Sequence, residues 1–389
     1  MRVCLFTPTF LPALGGAERM ADTLARGLTG RGHEVVVLAP QPEPDAGAMP
    51  DVPYRVERYR RWPAQHLWPE RLARPLKRLH RGWPFDVVLA FYSYPTGYAA
   101  TRARRSLGVP VVVTPRGGDL YPNFHALRKP RVPAVIAAGY RDADRVVSIS
   151  GWLTERIQQV TGRTPGELPP IDAVPNGVDL AAFDADLAAA DRGTLPLGEG
   201  ERFLLHLGRV TPVKRTTLAV EAVALEADRF RREKLRYAVV GDGSELSAVA
   251  ALVERHRLGD VVAVLGRRTG PERAWLLRHA AGFVTTSREE GMPNAVLEAM
   301  AAGLPILASD IGPHRELVAG RGWGLLCDST RPADWGMQMR ALVESDRDAM
   351  RAAALRLRER YTLARTIDGY ESSLQKAIDD FRGSNPLSG

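Results

Sequence analysis

The chain has very few cysteines and no long apolar run. Its two cysteines, Cys4 and Cys327, lie far apart, which argues against a disulfide framework and against a cysteine metal site. A reducing cytoplasm is therefore the expected compartment. No uncharged apolar stretch of about 18 residues occurs, so no transmembrane helix is expected. No Asp-x-Asp pair follows a predicted strand; the pair Asp142 and Asp144 precedes one, and no bound metal is expected.

The excess of positive charge is confined to the first half of the chain. The formal net charge is +8; residues 1–180 hold 24 Lys and Arg against 16 Asp and Glu, and the remainder holds 29 of each. Much of the excess lies in 55–81, where nine basic residues accompany two acidic ones, interleaved with Trp62, Trp68 and several leucines. This pattern predicts either peripheral contact of residues 55–83 with the inner face of an anionic cytoplasmic membrane or an ordinary solvated surface. No nucleic-acid partner is expected, because no helix-turn-helix, zinc-finger or ribonucleoprotein motif occurs.

Short β-branched runs alternate with helical stretches along the chain. RVCLFTP, HEVVVLAP, FDVVLAFY and VPVVVTP are typical strands of the first half, and RFLLHLGRV, RYAVVGDG and AGFVTTS of the second. Nearly continuous Val, Ile and Leu strands between helices indicate parallel sheets covered on both faces. The sequence therefore predicts an α/β protein with two facing Rossmann-like domains and a cleft between them, residues 1–185 and 196–364, followed by a helix at about 365–383. Ligands of such sheets bind beyond the carboxyl ends of the strands.

Two cations follow the first strand of the second half. In LGRVTPVKR the strand ends at Leu207, and the loop after it carries Arg209 and Lys214. Arginine binds a diphosphate through paired hydrogen bonds, and lysine binds it as a point charge. The loop is therefore a candidate diphosphate site, although two basic residues in a loop are more often simply solvated.

A second polar group follows the strand AGFVTTS. Glu290-Gly291 lies in the loop, and NAVLEAMAAG predicts a helix that starts at Pro293-Asn294. The free N–H groups and positive dipole end of such a helix start attract an anion. Glu298, one turn further, is placed to accept hydrogen bonds from a ribose, and Glu290 from sugar hydroxyls. In the alternative interpretation Glu290 is a cap and Glu298 is a surface residue.

The first-half strand end VVVTPRGGDL carries Arg116 and Asp119. Arg116 cannot act as a base, because its pKa is too high, but it can stabilise developing negative charge. Asp119 is a candidate acceptor or sugar contact, with a helix cap as the alternative. VVGDGSEL is similar only to the start of a dinucleotide fingerprint, because Leu246 stands where the third glycine belongs, and a dehydrogenase is not expected.

Taken in order, these motifs resemble the donor-binding signature of family 4 of the retaining glycosyltransferases, which have the GT-B fold. GRVTPVK and REEGMPNAVLEAMAAGLPILASD carry the resemblance, and LPALGGAER, SISGWLTE, VPNGVD and VVGDGSE extend it over nearly the whole chain. It implies that the first domain binds the acceptor, that the final helix packs back on it, and that the second domain binds a nucleotide-sugar. Many members have a histidine near the reacting sugar where this chain has Arg116.

The resemblance also implies a role for each site residue. The catalytic residues would be Arg209, Lys214, Glu290 and Arg116, with Arg116 and Asp119 near the acceptor. The donor would contact Gly15, Gly16, Arg209, Lys214, Arg267, Glu290, Gly291, Met292, Pro293, Asn294, Ala295 and Glu298. In this scheme the cations neutralise the departing diphosphate, Glu298 binds the ribose, and Arg267 holds the base through its backbone.

The predicted reaction is metal-independent transfer of a hexose-type sugar, with retention, from a UDP- or GDP-linked donor to an acceptor hydroxyl. The predicted setting is the synthesis of cell-envelope polysaccharide, glycolipid or a related glycoconjugate. The alternatives are a small soluble acceptor, such as a natural product or a thiol or sugar precursor, a nucleotide-sugar 2-epimerase of the same fold, and a non-catalytic sugar-binding protein. No cofactor is expected besides the nucleotide-sugar substrate.

Overall fold

The computed structural model describes residues 1–13, 15–44, 46–61, 69–122, 124–129, 131–198 and 200–384. The chain divides into two compact units, one of Met1–Asn176 with Ala364–Gly389 and the other of Gly177–Leu363. Within the described residues each unit is built on one parallel sheet. The prediction of an α/β protein with two Rossmann-like domains is therefore confirmed.

The elements of the first unit alternate between strand and helix. Its strands are β1 Arg2–Phe6, β2 Glu34–Pro40, β3 Arg55–Tyr59, β4 Val87–Phe91, β5 Val111–Thr114, β6 Arg145–Ser148 and β7 Ile171–Ala173. Its helices up to Asn176 are α1 Gly16–Gly30, α2 Ala73–Gly82, α3 Tyr98–Leu107, α4 Arg131–Arg141 and α5 Gly151–Thr161. The described strands pair in parallel in the order β3-β2-β1-β4-β5-β6-β7.

The second unit repeats this alternation. Its strands are β8 Arg202–Leu207, β9 Leu235–Val240, β10 Val262–Gly266, β11 Gly282–Thr285, β12 Ile306–Ser309 and β13 Gly324–Cys327. Its helices are α6 Leu180–Ala188, α7 Thr216–Leu225, α8 Ala227–Arg232, α9 Leu246–Arg255, α10 Gly270–His279, α11 Asn294–Ala301, α12 Gly312–Val318, α13 Pro332–Glu344 and α14 Arg347–Arg358. The described strands pair in parallel in the order β10-β9-β8-β11-β12-β13.

The central strands are apolar runs because both of their faces are covered. Every residue of β4, β5, β11 and β12 is buried. The edge strand β3, with the sequence RVERY, is only partly covered and carries charged residues instead. This contrast follows from parallel-sheet architecture, in which buried central strands need no polar alternation.

The border between the units lies before the predicted end of the first domain at residue 185. The side chain of Asp179 caps α6 by accepting a hydrogen bond from Ala182 N at 3.2 Å. Phe183 of α6 is buried in the core of the second unit with Leu195 and Trp275. Residues 177–185 therefore belong to the second unit, because the apolar face of α6 packs there rather than on the first sheet.

The two ends of the second unit lie side by side. Val178 forms a parallel bridge with Thr362, in which Val178 N donates to Tyr361 O and Leu363 N donates to Val178 O, each at 2.8 Å. The chain then enters its last helix, α15 Leu363–Ser384, close to the predicted 365–383. Nearly all of this helix is assigned to the first unit.

The buried face of α15 fixes it to the first sheet. Tyr370, Leu374 and Ala377 have no exposed surface, and the Tyr370 hydroxyl lies 2.8 Å from Thr114 Oγ1 at the end of β5. Cys4 is buried in β1 and forms no disulfide. None of the helices that the structure describes is both long and apolar enough to cross a membrane.

Candidate active site

The loop after β8, which carries Arg209, lies against the loop after β9. Val210 N donates to Asp242 O at 2.9 Å. A Cβ atom at Gly241 would lie 1.7 Å from the Gly208 carbonyl oxygen, so only glycine permits this approach. The glycines of VVGDGSEL therefore support a neighbouring loop instead of forming a dinucleotide site.

The same loop is also fastened to the loop after β11, the next strand on the other side. Thr286 Oγ1 donates to Lys214 O at 2.8 Å, and Arg288 N donates to Val213 O at 2.7 Å. These bonds hold the two strand-end loops together. They explain how Lys214 and Glu290, 76 residues apart in sequence, come into contact.

Lys214 and Glu290 form a largely buried ion pair. Lys214 Nζ donates to Glu290 Oε1, which also accepts a hydrogen bond from Ser287 Oγ at 2.8 Å. The two side chains are 18% and 10% exposed. Burial acts to raise the pKa of Glu290, but the charge of Lys214 and these hydrogen bonds hold that pKa below its ordinary value. Glu290 is therefore a fixed, ionised carboxylate at neutral pH.

Two buried histidines, His206 of β8 and His314 of α12, lie within electrostatic range of this pair. Burial, helped by the Lys214 charge, lowers the pKa of His206 to about 4. Burial also lowers the pKa of His314, although Glu290 acts to raise it. His314 Nδ1 lies 2.8 Å from the Ser309 carbonyl oxygen, and among the described residues His206 Nδ1 and His314 Nε2 have no hydrogen-bond partner. Motif analysis missed both histidines; their one sequence signal is a position at or just after a strand end.

A second charged pair joins α10 to α11. Arg273 donates through Nη2 to Glu298 Oε2, and the two side chains are 23% and 27% exposed. The motifs of the sequence point to Glu298 as a ribose ligand but not to Arg273. A single arginine inside a helix gives no local signal, and its partner is 25 residues away.

The start of α11 completes this part of the second unit. The helix begins at Asn294, its N-cap Pro293 makes no side-chain cap, and its first turn carries no acidic residue. Gly291 and Pro293 are buried, whereas Met292, Asn294, Ala295 and Glu298 are half-buried and Arg209 and Arg267 are exposed. In the part of the chain that the structure describes, no group of three His, Cys, Asp or Glu side chains is arranged to hold a metal ion.

The structure thus brings some predicted donor residues into direct contact and leaves others apart. It joins Lys214 to Glu290 and gives Glu298 an unforeseen partner in Arg273. The exposed Arg209 and Arg267 make no ion pair with any described residue. Their roles in donor binding stay predictions.

Gly15 and Gly16 lie where the first unit starts its first helix. Gly15 is the N-cap of α1, and Glu18 in the first turn accepts a hydrogen bond from Thr9 Oγ1 at 2.8 Å. A Cβ at Gly15 would lie 2.3 Å from Glu18 Oε2. The Glu18 carboxylate already compensates the positive end of this helix, so the predicted donor contact here lacks the charge advantage of α11.

Arg116 is held inside the first unit by its own neighbours. It is 9% exposed; Nη1 donates to the Tyr370 hydroxyl and Nη2 to Asn176 Oδ1, each at 3.0 Å, and the guanidinium lies over the Phe91 ring. These contacts tie the end of β5 to the segment before residue 177 and to α15. The proposed catalytic role of Arg116 stays a prediction.

Asp119 is 2% exposed, and its carboxylate accepts hydrogen bonds from two backbone groups, Arg116 N at 3.0 Å and Ser93 N at 2.5 Å. Both carboxylate oxygens are therefore used to hold the loop after β5. The predicted acceptor or sugar contact of Asp119 stays a prediction.

Comparison with known families identifies the class of protein. The family model described as Glycosyltransferase Family 4 matches residues 14–182, and the model described as Glycosyl transferases group 1 matches residues 189–357. The chain belongs to this family of glycosyltransferases, as the resemblance of its motifs predicted. The second match contains the loops and helices that carry Lys214, Arg273, Glu290 and Glu298.

Several curated relatives are named D-inositol 3-phosphate glycosyltransferases. The enzyme of Gordonia bronchialis is 28% identical over 316 residues, covering 78% of this chain and 68% of the relative. The enzyme of Nocardia farcinica is 32% identical over 254 residues, covering 62% of this chain and 55% of the relative. The chain thus spans between half and about two thirds of the length of these two relatives.

Solved structures of low identity share the fold. HepE of Anabaena in complex with UDP-glucose has a TM-score of 0.75 at 18% identity, covering 97% of this chain and 100% of that one. Sucrose-phosphate synthase of Thermosynechococcus elongatus has a TM-score of 0.81 at 19% identity, covering 97% and 99%. These likenesses confirm the GT-B fold of the chain.

Proposed function

We propose that this glycosyltransferase moves a hexose-type sugar, with retention, from a UDP- or GDP-linked donor to an acceptor hydroxyl. The observation that carries the proposal is the Lys214–Glu290 pair at the carboxyl ends of β8 and β11, in the same unit as α11, whose first turn carries no acidic residue. A cation and a helix start suit the diphosphate, and a fixed carboxylate suits sugar hydroxyls. The presence of UDP-glucose in the HepE structure supports a nucleotide-sugar donor.

In the proposed reaction the bond between the anomeric carbon and the diphosphate oxygen breaks. The acceptor oxygen bonds to the same face of that carbon, and the departing phosphate oxygen takes the acceptor's proton. Lys214 and Arg209 stabilise the negative charge that develops on the diphosphate. Glu290 accepts hydrogen bonds from the sugar and forms no covalent bond with it, so catalysis is positioning and electrostatics.

Replacement of the pair tests this proposal. We expect Glu290→Ala and Lys214→Ala each to lower turnover by about 100-fold or more, as loss of a charge-stabilising group does. The measurement is release of UDP or GDP across a panel of nucleotide-sugars, with NMR of the product anomer. Glu254→Ala, at an exposed glutamate of α9, is the matched control. Near-full activity of Glu290→Ala would refute the site, and an epimer formed from donor alone would identify the epimerase alternative.

The acceptor class has two candidates. Synthesis of cell-envelope polysaccharide or glycolipid is the first, and the basic surface of the first unit supports it. The curated relatives are named for D-inositol 3-phosphate, which supports a small phosphorylated polyol as the second. Transfer assays with inositol 3-phosphate and with a polyprenyl-diphosphate sugar separate the two.

The basic surface that would meet an anionic membrane is formed mainly by α2. A groove between this helix and β3 is lined by Tyr59, Arg60, Arg71, Leu72, Arg74, Pro75, Lys77, Arg78 and Arg81. Leu76 and Leu79 are buried in the unit itself, so the exposed part of α2 is cationic rather than apolar. We propose an electrostatic contact through this helix. Trp62 and Trp68, which were predicted to contribute, lie outside the described residues.

A further inference from the structure

The charged pair between Arg273 and Glu298 has a function still to be assigned. Arg273 lies in the first half of α10, and Glu298 lies in the second turn of α11. The neighbouring Glu272 is occupied elsewhere: it pairs with Arg268 at 3.1 Å and accepts from Thr194 N at 3.0 Å. Arg273 is therefore directed to Glu298 without competition from the nearest acid of its own helix.

The pair leaves hydrogen-bonding groups unused. Only Glu298 Oε2 and Arg273 Nη2 are engaged, and among the described residues Glu298 Oε1 and the other N–H groups of Arg273 have no partner. Both side chains are about a quarter exposed, so these groups can reach a ligand. The site thus offers one open carboxylate oxygen next to open guanidinium donors.

This combination matches a vicinal diol better than a single hydroxyl. A hydroxyl donates one hydrogen and accepts through its lone pairs, a carboxylate only accepts, and a guanidinium only donates. One hydroxyl of a ribose can donate to Glu298 Oε1 while its neighbour accepts from Arg273. A 2′-deoxyribose would satisfy one of the two groups and leave the other partly desolvated without a partner.

We propose that Arg273 is a specificity-determining residue that, with Glu298, makes the enzyme select ribonucleotide over 2′-deoxyribonucleotide donors. This inference rests on the proposed function, because it assumes that the donor ribose binds at Glu298. Sites built to hydrogen-bond a hydroxyl reject analogues that lack it, so we expect the wild type to prefer UDP over 2′-deoxy-UDP by about tenfold or more.

Calorimetric titration of the full chain with UDP, GDP and their 2′-deoxy forms tests the proposal. Arg273→Ala should weaken binding of the ribonucleotide and leave binding of the deoxynucleotide nearly unchanged, so that their ratio falls to within about threefold. Arg273→Lys, which keeps the charge but loses the planar fork, should give an intermediate ratio. Arg278→Ala on the same helix should keep the wild-type ratio, because that side chain donates to Leu187 O and makes no bond to Glu298.

The titrations distinguish failure of the Arg273 proposal from failure of the proposed function. A wild-type ratio near one, or an unchanged ratio in Arg273→Ala, would overturn the proposal while the proposed function stands, because UDP or GDP still binds. Equal weakening of both nucleotides in Arg273→Ala would also overturn it, since Arg273 would then act only as a charge. If neither UDP nor GDP binds the wild type, the proposed function itself fails.

Discussion

The charges of the proposed donor site in the second unit and those of α2 in the first unit are arranged in opposite ways. In the second unit, Lys214 and Arg273 are each paired with a glutamate. In the first unit, the cations of α2 follow one another along the helix, and among the described residues Arg74, Lys77, Arg78 and Arg81 make no ion pair. Paired cations are held in place, whereas unpaired like charges at this spacing repel one another.

The difference separates two ways of binding an anion. A buried pair provides a preformed geometry, and a ligand must compete with the resident glutamate for the cation. An exposed row of cations attracts an anion but does not fix its orientation. Salt screens this attraction. Ligand binding at the proposed donor site should therefore be sensitive to single substitutions, whereas binding at the α2 surface should depend only on the sum of its charges.

The largest expected difference between the two regions is in the free energy of unfolding after loss of one cation. Lys214→Met leaves a buried carboxylate without its cation and should lower the free energy of unfolding by about 3 kcal/mol. The double variant Lys214→Met/Glu290→Gln should recover part of that loss. Arg78→Met on α2 should change the free energy by less than about 0.5 kcal/mol. Urea unfolding measures all three, and additive losses in the double variant would show that the pair is not coupled.

The buried histidines near the Lys214–Glu290 pair should make the stability of the protein depend on pH. The pKa of His206 is about 4 in the folded protein, below the ordinary 6.5. As the pH falls from 6.5 towards 4, the unfolded chain binds a proton before the folded protein does, so the free energy of unfolding decreases, by up to about 3 kcal/mol. Buried His314 adds a change of the same sign.

Urea unfolding at several pH values checks this slope. His206→Gln should flatten it, and His256→Gln, at an exposed position, should leave it unchanged. An identical slope in wild type and His206→Gln would place the titrating group elsewhere.

The smallest expected effect for each substituted residue is on the binding of anionic vesicles by α2. The variant Arg74→Gln/Lys77→Gln/Arg78→Gln/Arg81→Gln should bind anionic vesicles at least about tenfold more weakly, since each cation near the surface contributes about 1 kcal/mol. Its stability should be unchanged or slightly higher. Co-sedimentation at low and high salt is the measurement.

The control for vesicle binding is Arg229→Gln/Arg231→Gln, whose arginines are ion-paired in the second unit. Failure of the wild type to bind anionic vesicles would end the membrane proposal.

The sequence predicted those residues of the candidate site that belong to a recognisable local motif. Continuous apolar strands identified the parallel sheets, and Lys214, Glu290 and Glu298 were found because they follow strands or begin a helix. Charge and motif alone, however, could not show that two of these residues pair with each other.

Residues that matter only through contacts with distant parts of the chain could not be predicted from the sequence. Arg273, His206 and His314 carry no pattern of their own, and their importance comes from neighbours that the sheet order brings close. The packing of Phe183 is a long-range feature of the same kind, because the sequence does not show that this side chain lies in the core of the second unit.

The bridge between Val178 and Thr362 makes the second unit a cassette inserted in the first. A continuous stretch, residues 177–363, leaves and rejoins its host at neighbouring points, so its replacement need not disturb the host's sheet. Exchange of this stretch between related chains would therefore need only two junctions, one near residue 177 and one near residue 363. The first unit would keep its strands, its last helix and the contacts of Arg116 with Tyr370 and Asn176.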